Sequence, residues 1–179
     1  MQGVVARVAS EPIRTAAVLA ELAGGENGAE LLFHGVVRNR NEGRAVKAVS
    51  YDVFAPLAEQ TFREIGDEAL ARWGPDLRVV IVHRSGRLEV GEVSVIVGVS
   101  SPHRDEAYLA SRYVIEQLKV RSPIWKQEHY ADGDSEWLLG HSLRASETQA
   151  EEPPDVQLHA RTVAPRDDSE RQDRCRARG

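Results

Sequence analysis

A chain of 179 residues suits one domain, or one domain with a tail, and can bury a core without help from disulfides or metals. Hydrophobic residues make up 41% and charged residues 28%, with a formal net charge of −5, so general nucleic-acid binding is disfavoured and an anionic ligand has to meet a local basic island. The single cysteine, Cys175, excludes an intrachain disulfide framework and leaves no material for a Cys/His metal site, which fits a reducing compartment.

The first residues, Met1 to Ala6, lack a basic segment followed by an apolar run, and no apolar run is long enough to span a bilayer. A cytoplasmic protein with no membrane partner is expected. Val4 to Val8 reads as a short strand. Ser10 can cap a helix running to about Leu22, ended by Gly24-Gly25. Glu30 to Val37 is an apolar strand, followed by a loop of turn formers from Arg38 to Gly43. Val46 to Phe54 alternates as a strand does. Pro56 then opens a helix whose Ala58, Phe62, Ile65, Ala69 and Trp73 recur every three or four residues, and Gly74-Pro75 stops it.

Leu77 to His83 and Val93 to Ser100 are β-branched strands, with Ser85-Gly86 and Gly91 punctuating the section between them. After Pro102 comes a helix that turns Ala107, Ser111, Val114, Ile115 and Leu118 inward, and Pro123 marks its exit. Ile124 to Tyr130 and Ser135 to Leu139 read as a hairpin about Asp132-Gly133. Hairpins and long crossovers together argue for an α+β domain with a mostly antiparallel sheet and packed helices over residues 1–140. Residues 141–179 turn to Glu, Asp, Arg, Gln, Ser and Pro and read as a polar, disordered tail.

The chemistry lies in basic residues at the ends of elements. His103 and Arg104 open a helix, where a cation opposes the helix dipole unless an anion sits between it and the backbone N–H groups. The plainer alternative is that Arg104 pairs with Asp105 or Glu106. Lys119 lies in the last turn of the same helix, where a cation suits the dipole. Lys126 lies in a strand next to Trp125, and if Trp125 points inward Lys126 points to the other face. Arg38 opens a loop after an apolar strand. If Arg38, His103, Arg104, Lys119 and Lys126 converge, they form a basic pocket able to hold a phosphate and to lower the pKa of one lysine toward catalysis.

Five stretches, in order, resemble the molybdopterin synthase catalytic subunit family. They are Phe33 to Asn41, His83 to Leu88, Gly91-Glu92, Ser101 to Arg104, and Leu118 to Glu128, the last with Leu-Lys followed by Pro-Ile-Trp-Lys. The resemblance covers roughly residues 3 to 139. It implies an α/β hammerhead fold, a homodimer within a heterotetramer, and a small ubiquitin-like partner whose C-terminal Gly-Gly thiocarboxylate supplies sulfur. It implies cyclic pyranopterin monophosphate as substrate and two dithiolene sulfurs added in turn, in molybdenum cofactor biosynthesis, with no cofactor or metal. By the family pattern Lys119 and Lys126 match catalytic lysines. Arg38, His103 and Arg104 match substrate-binding positions, Val36 and Val37 line the site, and Gln127 and Glu128 follow Lys126 in the same segment.

Three residue-level points agree with the resemblance. The implied substrate is an anion, the first 140 residues hold no cysteine, and an extended Gly-Gly tail is narrow enough to enter a pocket. Two positions depart from the pattern: Val36 where relatives often carry Lys, and Gln127 where a basic residue is common. The rival readings are a non-catalytic nucleotide- or anion-binding module and an inactive scaffold for the small subunit. Aromatic residues at 6%, with no interleaved aromatic and basic face, disfavour the first. Retention of Lys119, Lys126, His103 and Arg104 disfavours the second.

Overall fold

A computed structural model describes residues 3–138. In chain order the elements are β1 (Val4–Ala9), α1 (Thr15–Leu22), β2 (Ala29–Val36), β3 (Arg40–Asn41), β4 (Arg44–Val53), α2 (Ala55–Trp73), β5 (Arg78–Arg84), β6 (Gly86–Glu89), β7 (Val93–Ser101), α3 (Arg104–Arg121), β8 (Ile124–Tyr130) and β9 (Ser135–Leu138). The expected 141–179 segment and Cys175 lie outside the described residues.

The first sheet has the order β1-β5-β7-β2, parallel only between β1 and β5. Its central strands β5 and β7 are buried on both faces, which is why they read as unbroken β-branched runs. Alternation then sorts their side chains. Val79, Ile81, Val95, Val97 and Val99 meet Ala58, Phe62, Ile65 and Ala69 of α2 and Ala107, Ala110, Val114 and Leu118 of α3. Val80, Val82 and Ile96 turn to the opposite face and meet Val18 and Leu22 of α1. The second sheet runs β3-β4-β8-β9 with β6 also paired to β4, and its own small core is Val37, Val46, Val49, Leu88 and Tyr130. The mixed, mostly antiparallel α+β architecture expected from the periods is therefore present.

Local details differ from the sequence reading in three places. The first helix begins at Thr15, not after Ser10, and its N-cap position, Arg14, makes no side-chain cap. The short helix is held by burial of Val18 and Leu22. The 38–43 loop contains β3, closed on β4 by Glu42-Gly43, both at positive φ (47° and 82°), the geometry of a two-residue hairpin turn. Strand β6 had no apolar run to announce it. Only Leu88 in it is buried, and pairing with Ala48 to Tyr51 of β4 supplies the rest.

Candidate active site

A cavity of about 320 Å³ opens where the C-terminal end of α3 meets both sheets. Phe33 and Gly35 of β2 and Ser94 and Val95 of β7 form its first wall. Ile115, Leu118 and Lys119 of α3 form the second, continued by Ser122 and Ile124. Tyr51 of β4, His83 of β5 and Lys126 of β8 close it. The wall is mostly apolar with a few polar groups, the composition of a small-molecule site.

The helix end that carries Lys119 is pinned. Arg121 donates to both oxygens of Glu68 on α2, at 3.0 and 2.8 Å, and the Tyr113 hydroxyl donates to the same carboxylate. Arg121 first, and Tyr113 second, hold the Glu68 carboxyl below the usual carboxylate range. Lys119 itself is exposed and makes no ion pair among the described residues.

Lys126 is placed differently. On β8 the residues Ile124, Lys126, Glu128 and Tyr130 share one face. That face is the inner one: Glu128 is 2% exposed, whereas Trp125 on the outer face is 50% exposed. The two side chains do take opposite faces, as alternation requires; Trp125 takes the outer one, which aims Lys126 into the cavity. Lys126 Nζ donates to Glu128 Oε1 at 2.6 Å, and the Tyr130 hydroxyl donates to Glu128 Oε2 at 3.0 Å. Burial pushes the Glu128 carboxyl up, but the hydrogen bond and charge of Lys126, with Tyr130 and Asn41, outweigh it and hold the group low.

Arg38 follows β2 and donates to Asn41 Oδ1 at 3.2 Å. Asn41 in turn lies close enough to Glu128 to help hold its carboxyl low. Val36 is largely exposed, whereas Val37 is 4% exposed and packs in the core of the second sheet rather than in the cavity wall. Gln127 lies on the outer face of β8 and donates to Ser135 Oγ.

His103 and Arg104 do not join this group within one chain. They start the helix that Lys119 ends, about 24 Å away at the rise of an α-helix. Arg104 Nε stands 3.7 Å from Asp105 Oδ1, with both side chains more than four-fifths exposed, an ion pair that contributes little. The structure therefore brings together Lys119 and Lys126, with Glu128 behind Lys126, leaves Arg38 outside the cavity wall and leaves His103 and Arg104 on an open surface.

Sequence reasoning assigned no role to Tyr51, His83 and Ser122. The signal for His83 was present, since it continues the stripe of Val79 and Ile81 on β5 where a third apolar side chain is expected. Tyr51 stands opposite Lys126 in the β4–β8 ladder and packs edge-on against His83, with ring centroids 5.0 Å apart. Among the described residues no group of three or more His, Cys, Asp or Glu side chains is arranged to hold a metal ion, and no helix is long and apolar enough to cross a membrane.

Comparison with known proteins gives a consistent picture. The family described as MoaE protein matches residues 8–121. A curated protein of Synechococcus elongatus, named molybdopterin synthase catalytic subunit, is 49% identical over 116 residues, covering 65% of this chain and 70% of that protein. The crystal structure of molybdopterin synthase from Staphylococcus aureus aligns with a TM-score of 0.72 at 36% identity, covering 78% of this chain and 98% of that one. A complex of subunits 1 and 2 of molybdopterin-converting factor from Helicobacter pylori shares the fold, with a TM-score of 0.63 at 19% identity over 79% of this chain and 93% of that one.

Proposed function

The chain belongs to the MoaE protein family, and from that premise we propose that it is the catalytic subunit of a molybdopterin synthase, a sulfurtransferase of molybdenum cofactor biosynthesis. The observation that carries the reading is the meeting of Lys119 and Lys126, from a helix end and a separate strand, in one largely apolar cavity. The substrate is cyclic pyranopterin monophosphate. Its sulfur donor is a small ubiquitin-like subunit whose C-terminal Gly-Gly thiocarboxylate reaches the cavity mouth.

The chemistry follows from the two lysines being unlike. In each transfer the thiocarboxylate sulfur bonds to a pterin carbon and displaces the oxygen that carbon carries. Water, or the Lys119 amine followed by water, then takes the acyl group, so the acyl–sulfur bond breaks, the sulfur stays on the pterin and the partner's terminus leaves as a carboxylate. Lys126, fixed by Glu128, is a stationary cation that stabilises negative charge developing in that step. Lys119 makes no competing ion pair among the described residues and is the mobile group, moving a proton or accepting the partner's acyl group. Neither lysine needs a cofactor or metal for these roles.

His103 and Arg104 enter this reading through a second copy of the chain. Too far along α3 to reach their own cavity, they serve the cavity of the other subunit in a homodimer, which two small subunits extend to a heterotetramer. There they hold the substrate phosphate, with Arg38 as a further cation after β2 and Glu128 fixing Lys126. The protein acts in the cytoplasm.

The experiment is reconstitution. The chain is mixed with a thiocarboxylated small subunit and the pterin precursor, and dithiolene product is assayed. Product formation is expected; its absence with a donor active toward another family member overturns the reading.

A further inference from the structure

His83 has a geometry that the two lysines do not explain. Val79, Ile81 and His83 lie on one face of β5, the first two buried in the main core and the third at the cavity. Its Nδ1 stands 2.8 Å from the backbone oxygen of Arg84. A carbonyl oxygen only accepts, so Nδ1 carries the proton and a neutral ring leaves Nε2 as a lone-pair acceptor. Nε2 has no hydrogen-bond partner among the described residues. Tyr51, edge-on at an interplanar angle of 80°, fixes the ring plane.

Burial drives the imidazole down to about 4, with the Arg84 carbonyl only partly opposing it, so the ring is neutral at physiological pH. The two ammonium groups of the cavity, Lys119 and Lys126, only donate. The Ser122 hydroxyl, buried in the same wall, finds no partner among the described residues. The cavity thus combines cations for an anion with hydroxyls that can turn either way and an imidazole acceptor held in one tautomer and one ring plane, beside apolar and aromatic surface.

We propose that His83 Nε2 is a specificity-determining hydrogen-bond acceptor for a ring N–H of the heteroaromatic substrate, an inference that rests on the reading of this cavity as a pterin phosphate site. A phosphate is satisfied by donors alone, whereas a pterin ring presents N–H donors that lose water on entering an apolar cavity. Each such donor left unpaired weakens binding, so a single fixed acceptor discriminates among flat rings of similar size.

The test measures binding of cyclic pyranopterin monophosphate by calorimetry, with no sulfur donor present. His83→Phe, which keeps a flat ring and removes the acceptor, is expected to weaken binding about tenfold, and His83→Gln, which restores an acceptor, to recover most of it. Affinity for the unmodified small subunit stays unchanged in both. In the wild-type protein the Nε2 nitrogen resonance of His83 shifts on pterin addition, a readout that does not depend on either variant folding. Equal pterin affinity in His83→Phe with an unmoved Nε2 resonance overturns the inference, as does loss of small-subunit affinity instead, which would assign Nε2 to a peptide N–H. If the wild-type protein neither binds nor converts the pterin, the reading of the cavity falls with it; if it converts pterin while His83→Phe binds it equally well, only the role of His83 falls.

Discussion

Lys126 Nζ lies 2.6 Å from Glu128 Oε1 on the inner face of β8, and the carboxylate it neutralises is almost wholly buried. Removing the lysine leaves a buried carboxylate with Tyr130 as its remaining close donor. Lys126→Ala is therefore expected to destabilise the fold by about 1–3 kcal/mol as well as to abolish sulfur transfer. Adding Glu128→Gln should return part of the lost stability and none of the activity. Thermal unfolding of the single and double variants checks this, and equal melting temperatures for wild type and Lys126→Ala would contradict the buried ion pair.

Lys119 offers the contrasting case. It is exposed at a helix end and is not paired among the described residues, so Lys119→Ala should change stability by no more than about 0.5 kcal/mol. Product formation in the reconstituted assay should nonetheless fall by two orders of magnitude or more, roughly the contribution of a positioned proton-transfer group. Substantial product from this variant would remove Lys119 from the mechanism.

The central architecture was legible because burial and period coincide: β5 and β7 are covered on both faces and read as unbroken apolar runs, and α2 shows its buried stripe plainly. Strand β6 was not legible, because one buried leucine makes no pattern and its pairing comes from a distant strand. The start of α1 was misplaced because a serine before an alanine-rich segment signals a cap whether or not the chain uses it. At the site, Lys119 and Lys126 could be named from motif, but which face of β8 turns inward depends on packing around Glu128 and Tyr130, which spacing cannot decide. His83 was visible as a motif residue and as a break in an apolar stripe, yet its role needed the Arg84 carbonyl and Tyr51 to be seen beside it.

Gly98 tests how α1 is seated. A Cβ there would stand 2.7 Å from Leu22 Cδ1 and 3.1 Å from both Leu32 Cδ2 and Val18 Cγ1. Gly98→Ala should push α1 from the sheet and cost about 1–3 kcal/mol, the usual range for overpacking a core. The cavity lies on the other face of that sheet, with α3, so pterin affinity should be retained. Chemical denaturation and calorimetry separate the two effects, and a variant as stable as wild type would show that α1 is loosely held.

The depressed pKa of His83 gives stability a pH dependence of known sign. The folded imidazole titrates near 4 and an unperturbed one near 6.5, so between these values the unfolded chain binds the proton first. The contribution is complete above about pH 6.5 and is lost as pH falls toward 4. Between pH 6.5 and 5.5, above the ordinary range of the carboxylates, the wild-type protein should lose on the order of 1 kcal/mol, and His83→Phe should show a flatter profile. Parallel stability curves for the two proteins would contradict the burial of a neutral ring.

A site shared between subunits makes a prediction that a self-contained site does not. Lys119→Ala lacks the group at the cavity, and Arg104→Ala lacks the group at the far end of α3, about 22 Å away along the same helix. If Arg104 serves the other subunit's cavity, each variant alone is inactive or nearly so. A dimer with one copy of each variant then contains one site with both residues intact and one with neither. Random exchange of subunits makes half of the dimers mixed, so an equimolar mixture should recover about a quarter of wild-type activity. A self-contained site would recover nothing on mixing, because every cavity would still lack one of the two groups. The measurement is product formation before and after subunit exchange, with each variant's own residual activity subtracted. No gain after demonstrated exchange would detach Arg104 from the partner's cavity.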